Sequence, residues 1–194
     1  MLLDLATLLG ETGAMLRGHF RLSSGLHSPG YVQCALLLEQ PGNARAVGEA
    51  LAAKLGRMAP AKIVAPALGG VIIGYTVAEA LGLPSVFTER KEGAMTLRRG
   101  FRIAADEPVV IVEDVVTTGK STRETAAVVE RLGGRVAGFA SILNRSGREN
   151  PFDAPYESLL ALALETYDET KCPLCAGGVL LDAPGSRFSS RGTG

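Results

Sequence analysis

Residues 109 to 121 read VVIVEDVVTTGKS. Two adjacent acids, Glu113 and Asp114, close an apolar run, and a short loop of Thr117, Thr118, Gly119, Lys120 and Ser121 opens the next segment. Hydroxyls, backbone N–H groups and a flexible Gly at a helix N-terminus form an anion cradle, because the first-turn amides are unpaired and the helix dipole favours negative charge. A phosphate fits such a loop. Carboxylates at the carboxyl end of a strand stand where open α/β sheets bind ligands, and they accept hydrogen bonds from sugar hydroxyls. Together the two parts point to a phosphorylated sugar. A nucleoside-triphosphate P-loop fails on spacing, since its first Gly would fall at Asp114, whose charge repels phosphate. A dinucleotide fingerprint fails as well, because Gly69, Gly70 and Gly74 are not spaced as G-x-G-x-x-G. An acid pair that merely caps the helix is outweighed by the agreement of thirteen consecutive residues.

The elements that must position this motif follow from periodicity. Val109 to Val112, four β-favouring residues in a row, predict a strand buried on both faces, and Ser121 to Leu132 predict a helix that ends at Gly133-Gly134. Val136 to Leu143 read as the following strand. Upstream, Asn43 to Met58 have helical spacing, Lys62 to Ala67 form a short apolar run, a helix follows Gly69-Gly70 to Leu81, and Ser85 to Thr88 make the next strand. Such strand-helix-strand units imply a central, mostly parallel sheet flanked by helices, an α/β fold.

The flanking segments read differently. Leu2, Leu5, Leu8 and Leu9 predict a helix over residues 1 to 17 that Gly18 ends, and Phe20 to Leu38 predict a small strand-and-turn lobe. Glu89 to Phe101 are polar and basic with a turn at Gly93, the pattern of a projecting hairpin whose second arm spans Met95 to Ile103. Leu160, Leu162 and Leu164 favour a strand, and the last dozen residues are expected to be poorly ordered. One domain, 1–194, is expected: an N-terminal helix and hood at 1–40, an α/β core at 41–150 with a loop at 89–103, and a C-terminal extension at 151–194.

With 20 basic and 20 acidic residues the net charge is zero, so nothing global draws the surface to nucleic acid or an anionic membrane. No apolar run suits a membrane span and Met1 opens no secretory leader, which leads us to expect a cytoplasmic protein. Three cysteines are too few for a disulfide scaffold.

VVIVEDVVTTGKS resembles the signature of type I phosphoribosyltransferases, with a hood and a projecting catalytic loop. Over about residues 10 to 150 the chain is similar to the orotate phosphoribosyltransferases, as a divergent bacterial branch. GHFRLSSGLHSPGYV, residues 18 to 32, resembles their hood segment, and Ala65-Pro66-Ala67-Leu68-Gly69-Gly70 falls at their pyrophosphate-binding turn. Glu89-Arg90-Lys91-Glu92 falls at the start of their catalytic loop and Asn144-Arg145 at the strand end that holds an Arg for orotate. The resemblance implies transfer of a phosphoribosyl group from phosphoribosyl pyrophosphate to orotate in pyrimidine synthesis, with Mg²⁺ bound mainly through the substrate. It implies Glu113 and Asp114 on the ribose hydroxyls, Val115 beside them, and Val116, Thr117, Thr118, Gly119, Lys120 and Ser121 around the 5′-phosphate. Leu68, Gly69, Arg90 and Lys91 would meet pyrophosphate, Thr117 and Arg145 would meet orotate, and Arg90, Lys91 and Asp114 would be catalytic. It also implies a homodimer in which loops are shared between active sites. A phosphoribosyltransferase for another base, or a donor-sensing regulator of the same fold, are the alternatives; the hood and Arg145 argue against the first, and zero net charge with no helix-turn-helix pattern against the second.

The chain departs from the commoner pattern in places. Gly93-Ala94-Met95-Thr96 replace a loop Lys and His, Leu68 and Gly69 stand where Tyr-Lys is frequent, and Ser23 stands where a Lys is common. Arg98 and Arg99 are candidates to replace the loop cations, or are simply solvated. Cys172-Pro-Leu-Cys175 resembles one knuckle of a zinc ribbon, but a structural site needs four ligands and Cys34, His19 and His27 lack knuckle spacing, so a tight turn with two free thiols is the expectation. His19 and His27 read as hood surface or core rather than general bases.

Overall fold

The computed structural model describes residues 3–22 and 24–184. Helix α1 (Leu5–Glu11) starts at Asp4, whose side chain accepts the Thr7 N–H at 3.2 Å. It ends earlier than its apolar spacing predicts. Gly13, at φ +67°, turns the chain out of the helix, and Met15 onward finds strand partners instead. Strand β1 (Met15–Arg21) therefore runs through Gly18, the expected stop, and pairs antiparallel with β2 (His27–Val32). Helices α2 (Cys34–Leu38) and α3 (Pro41–Ala52) follow; the predicted helix to Met58 ends instead at Ala52, and Gly56–Met58 form a separate 3₁₀ turn.

Strand β3 (Lys62–Pro66) leads into α4 (Gly70–Leu81), which stops at Gly82 with φ +65°. Strand β4 (Ser85–Lys91) is longer than predicted, because Glu92 and Gly93 take positive φ and fold β5 (Ala94–Leu97) back on it. The second arm is short, since positive φ at Arg99 and Gly100 turns the chain away well before Ile103. Strand β6 (Pro108–Val116), helix α5 (Lys120–Arg131), β7 (Arg135–Asn144) and β8 (Tyr156–Ala161) complete the core. A one-turn α6 (Pro173–Ala176) and the two-residue β9 (Leu181–Asp182) end the described chain. The expected disorder falls largely on residues 185–194, outside those described, as does Ser23.

Six strands form one sheet in the order β5-β4-β3-β6-β7-β8, all parallel except β5. Alternation along β6 divides the core. Val110 and Val112 pack with α3 and α4, whereas Val109 and Ile111 pack with α5 and Phe139, and all four valine and isoleucine side chains are fully buried. From neighbouring strands β3 and β6 the chain crosses in opposite directions, to β4 on one side and to β7 on the other. Their carboxyl ends therefore splay open, the position where such sheets hold ligands.

The hood is a second sheet, ordered β2-β1-β9. The segment after β8 returns to it: Ser28 Oγ donates to the Glu165 carbonyl at 2.8 Å, Tyr167 and His27 exchange backbone hydrogen bonds, and β9 lies parallel to β1.

Candidate active site

A cavity of about 840 Å³ opens between the two sheets. Its floor is the loop after β3 (Ala67 to Gly69) and the end of β6 with the first turn of α5, and its roof comes from the hood (Leu22, Leu26, Tyr31) and from Ala163, Leu164 and Thr166. The volume suits a ligand of nucleotide size.

Glu113 and Asp114 reach the floor from the last turns of β6. Glu113 is buried and accepts the Thr122 hydroxyl at 3.3 Å. Burial first, then the charge of Asp114, pushes its carboxyl well above the usual carboxylate range. Burial also raises Asp114, against the Val115 N–H that its Oδ1 accepts at 2.8 Å. Both carboxyls are thus raised, Glu113 by burial and by its neighbour's charge and Asp114 by burial against that hydrogen bond. Gly69 explains how a loop can pass so close: a Cβ there would sit 2.6 Å from Asp114 Oδ2.

A stability prediction follows from Glu113. A carboxyl raised by folding contributes stability that is fully present below its ordinary value of 4.5 and is lost as pH rises through the higher folded value. Glu113→Gln removes that loss, so its Tm should exceed the parent's at neutral pH by about 2–4 °C, the response of a chain this long to about 1 kcal/mol. The difference should shrink as pH falls toward 4.5. Calorimetric scans across that range check it, and a difference that stays constant with pH would refute the assignment.

The loop after Asp114 forms the cradle. Gly119 stands before α5 at φ +67°, and a Cβ there would meet the Phe152 ring at 2.9 Å. Thr117 and Thr118 are exposed to the cavity, with Lys120 and Ser121 opening a helix of 12 residues. Arg123 anchors the outer side, donating to the carbonyls of Thr118 and, at 3.1 Å, Pro151, with its guanidinium over Phe152. Val116 is different: its side chain lies in the core, and its carbonyl accepts the Arg145 N–H at 2.7 Å.

Arg145 faces the cavity from the residue after β7. Its Nε is buried with no hydrogen-bond partner among the described residues. Burial lowers its pKa, opposed by Tyr31 and Cys34. Tyr31 is itself raised by burial and by Asp114 and lowered by Arg145, so its phenol stands near both charges. Sequence reasoning passed over Tyr31, Ala163, Leu164 and Thr166. Tyr31 directly follows Ser28-Pro29-Gly30, a signal that gains meaning only once the hood is folded.

Leu68, Gly69, Glu113, Asp114, Val115, Thr117 to Ser121 and Arg145 thus meet at one cavity. The hairpin residues do not. Arg90 donates to Glu124 and, at 3.0 Å, to the Gly93 carbonyl, while Lys91 is exposed. Arg98 and Arg99 pair with Glu89 at 3.4 and 2.9 Å. Among the described residues, Lys120 and Arg145 are the cations of the cavity lining.

An acid pair beside a Gly-containing cradle, at the switch point of a parallel sheet, coincides with a family match. The phosphoribosyl transferase domain matches residues 36–167. The chain belongs to the phosphoribosyltransferase family. This phosphoribosyltransferase is similar to the orotate phosphoribosyltransferase of Carboxydothermus hydrogenoformans, 48% identical over 187 residues, covering 95% of this chain and 98% of that one. It is likewise 48% identical over 180 residues to the orotate phosphoribosyltransferase of Thermotoga maritima, covering 93% and 96%. The crystal structure of orotate phosphoribosyltransferase from Aeropyrum pernix aligns with a TM-score of 0.70 at 24% identity, over 81% of this chain and 93% of that one, a likeness of fold. Among the described residues, no helix of this phosphoribosyltransferase is long and apolar enough to cross a membrane.

Proposed function

We propose that the chain is an orotate phosphoribosyltransferase, which joins the ribosyl C1′ of phosphoribosyl pyrophosphate to a ring nitrogen of orotate and releases pyrophosphate. The observation that carries this reading is one cavity with two unlike walls: carboxylates and a phosphate cradle on the floor, and Arg145 with Tyr31 under the hood. The cradle takes the 5′-phosphate and Asp114 the ribose hydroxyls. Positive charge builds on the ribose as the C1′–O bond breaks, and the Asp114 carboxylate stands where it can stabilise that charge. Arg145, with a buried unpartnered edge, meets the orotate carboxylate and aims the attacking nitrogen. No nucleophilic side chain is required.

Pyrophosphate brings more negative charge than Lys120 and Arg145 offset, and the Asp114 carboxylate and Thr117 and Thr118 hydroxyls are oxygen donors of the type Mg²⁺ takes. Held mainly by the substrate, the ion would neutralise the leaving group. The hairpin with Arg90 and Lys91 lies outside the cavity of its own chain, and Tyr75 of α4 is an exposed aromatic side chain away from it. Both features support a homodimer that offers its hairpins to neighbouring sites.

Incubation with phosphoribosyl pyrophosphate, Mg²⁺ and each of orotate, uracil, adenine and hypoxanthine should consume orotate fastest, by about a hundredfold or more, since a base without the carboxylate leaves Arg145 unpaired. Preference for any other base would sink the acceptor assignment.

A further inference from the structure

Four side chains outside the cavity converge from distant parts of the sequence. His19 on β1, His27 at the start of β2, and Cys172 and Cys175 around α6 bring one ligand atom each to within 4.8 Å of the others. We propose that His19 Nε2, His27 Nδ1, Cys172 Sγ and Cys175 Sγ hold one zinc ion that fastens the C-terminal segment to the hood.

The distances suit a tetrahedron. Zinc bonds of about 2.0–2.1 Å to nitrogen and about 2.3 Å to sulfur set ligand atoms roughly 3.3 to 3.8 Å apart. Cys172 Sγ lies 3.5 Å from His19 Nε2, and Cys175 Sγ lies 3.7 Å from His19 Nε2 and 3.3 Å from His27 Nδ1. The two nitrogens, at 2.9 Å, need to part by only a few tenths of an ångström. Two thiolates with two imidazoles are a donor set that selects zinc over hard cations. His19 is also oriented as metal-bound histidines are: its Nδ1–H donates to the Val179 carbonyl at 2.8 Å, which leaves the Nε2 lone pair directed into the cluster. His27 Nε2 is buried without a partner among the described residues, so His19 provides the outer contact of the set. Three of the four ligands are buried, Cys175 alone being exposed.

The site has mechanical work to do. The hood is a three-stranded sheet whose third strand has two residues, too small a unit to stand on its own packing. The zinc would join its hairpin to a segment 145 or more positions later in the chain, and that same segment supplies Leu164 and Thr166 to the cavity roof.

Elemental analysis of the intact protein, purified without chelator and dialysed, should find about one zinc per chain. Cys175→Ser and His19→Ala should each lose most of it, with a lower Tm. Replacement of zinc by cobalt in the parent should give the strong visible bands of a tetrahedral ion and near-ultraviolet bands of sulfur-to-metal charge transfer. Chelation should free two thiols to a chromogenic thiol reagent, a readout that needs no variant to fold. Zinc far below one per chain, a Cys172–Cys175 disulfide, a weak octahedral cobalt spectrum, or metal retained by Cys175→Ser would each overturn the proposal.

Discussion

Asp114→Asn is expected to lower kcat for orotidine 5′-monophosphate formation by about a hundredfold to a thousandfold, the cost of removing one group that stabilises transition-state charge. The variant preserves shape: an amide oxygen can still accept the Val115 N–H, and Gly69 still leaves room for the side chain. What disappears is the negative charge on the cavity floor, and with it the partner for both the ribose hydroxyls and the cationic ribosyl centre. Donor binding, measured directly by titration calorimetry, should weaken, while orotate binding to the donor-free protein should change little. An Asp114→Asn protein with parental turnover, or one that loses the two substrates equally, would place the charge elsewhere.

Arg145→Ala should produce the opposite pattern. Its guanidinium is partly withdrawn from water with Nε unsatisfied, so the group is poised to gain a partner rather than to give one up. Charge-assisted hydrogen bonds contribute about 1.5–3 kcal/mol each, which makes an orotate affinity loss of about a hundredfold the expected result. Phosphoribosyl pyrophosphate binding should be spared. Arg145→Lys should recover only part of the loss, because an ammonium cannot present the planar fork. Equal damage to donor and acceptor binding would undo the division of the cavity into two halves.

The core was legible because each of its elements carries a local signal. Val109 to Val112 admit no polar residue and hence no exposed face, Gly82 takes the left-handed turn that ends α4, and the motif after Asp114 sits where strand gives way to helix. The hood was harder to read. Leu5, Leu8 and Leu9 do lie on a helix, but nothing in their spacing says that Gly13 ends it and that β1 begins two residues later. Pairing with β2 across the next turn decides that, and the same pairing sets Tyr31 opposite Leu16 and brings it to the cavity. The four zinc candidates show the same limit: all were visible as residue types, yet His19 and His27 are neighbours only across a hairpin, and both meet Cys172 only because the chain returns. Arg90 and Lys91 are ligands by family resemblance alone, and the pairing of Arg98 and Arg99, the candidate replacements, with Glu89 on β4 is a contact that no motif encodes.

Apart from Arg145, which follows β7, the cavity's two walls belong to separate parts of the polypeptide: the floor to β3, β6 and α5, and the roof to the hood and the returning segment. The two can consequently drift at different rates. Exchange of a roof residue such as Leu26 or Leu164 leaves every floor contact in place, so a lineage could explore new acceptors while its donor chemistry stays intact, and a laboratory could do the same by grafting the roof as one piece.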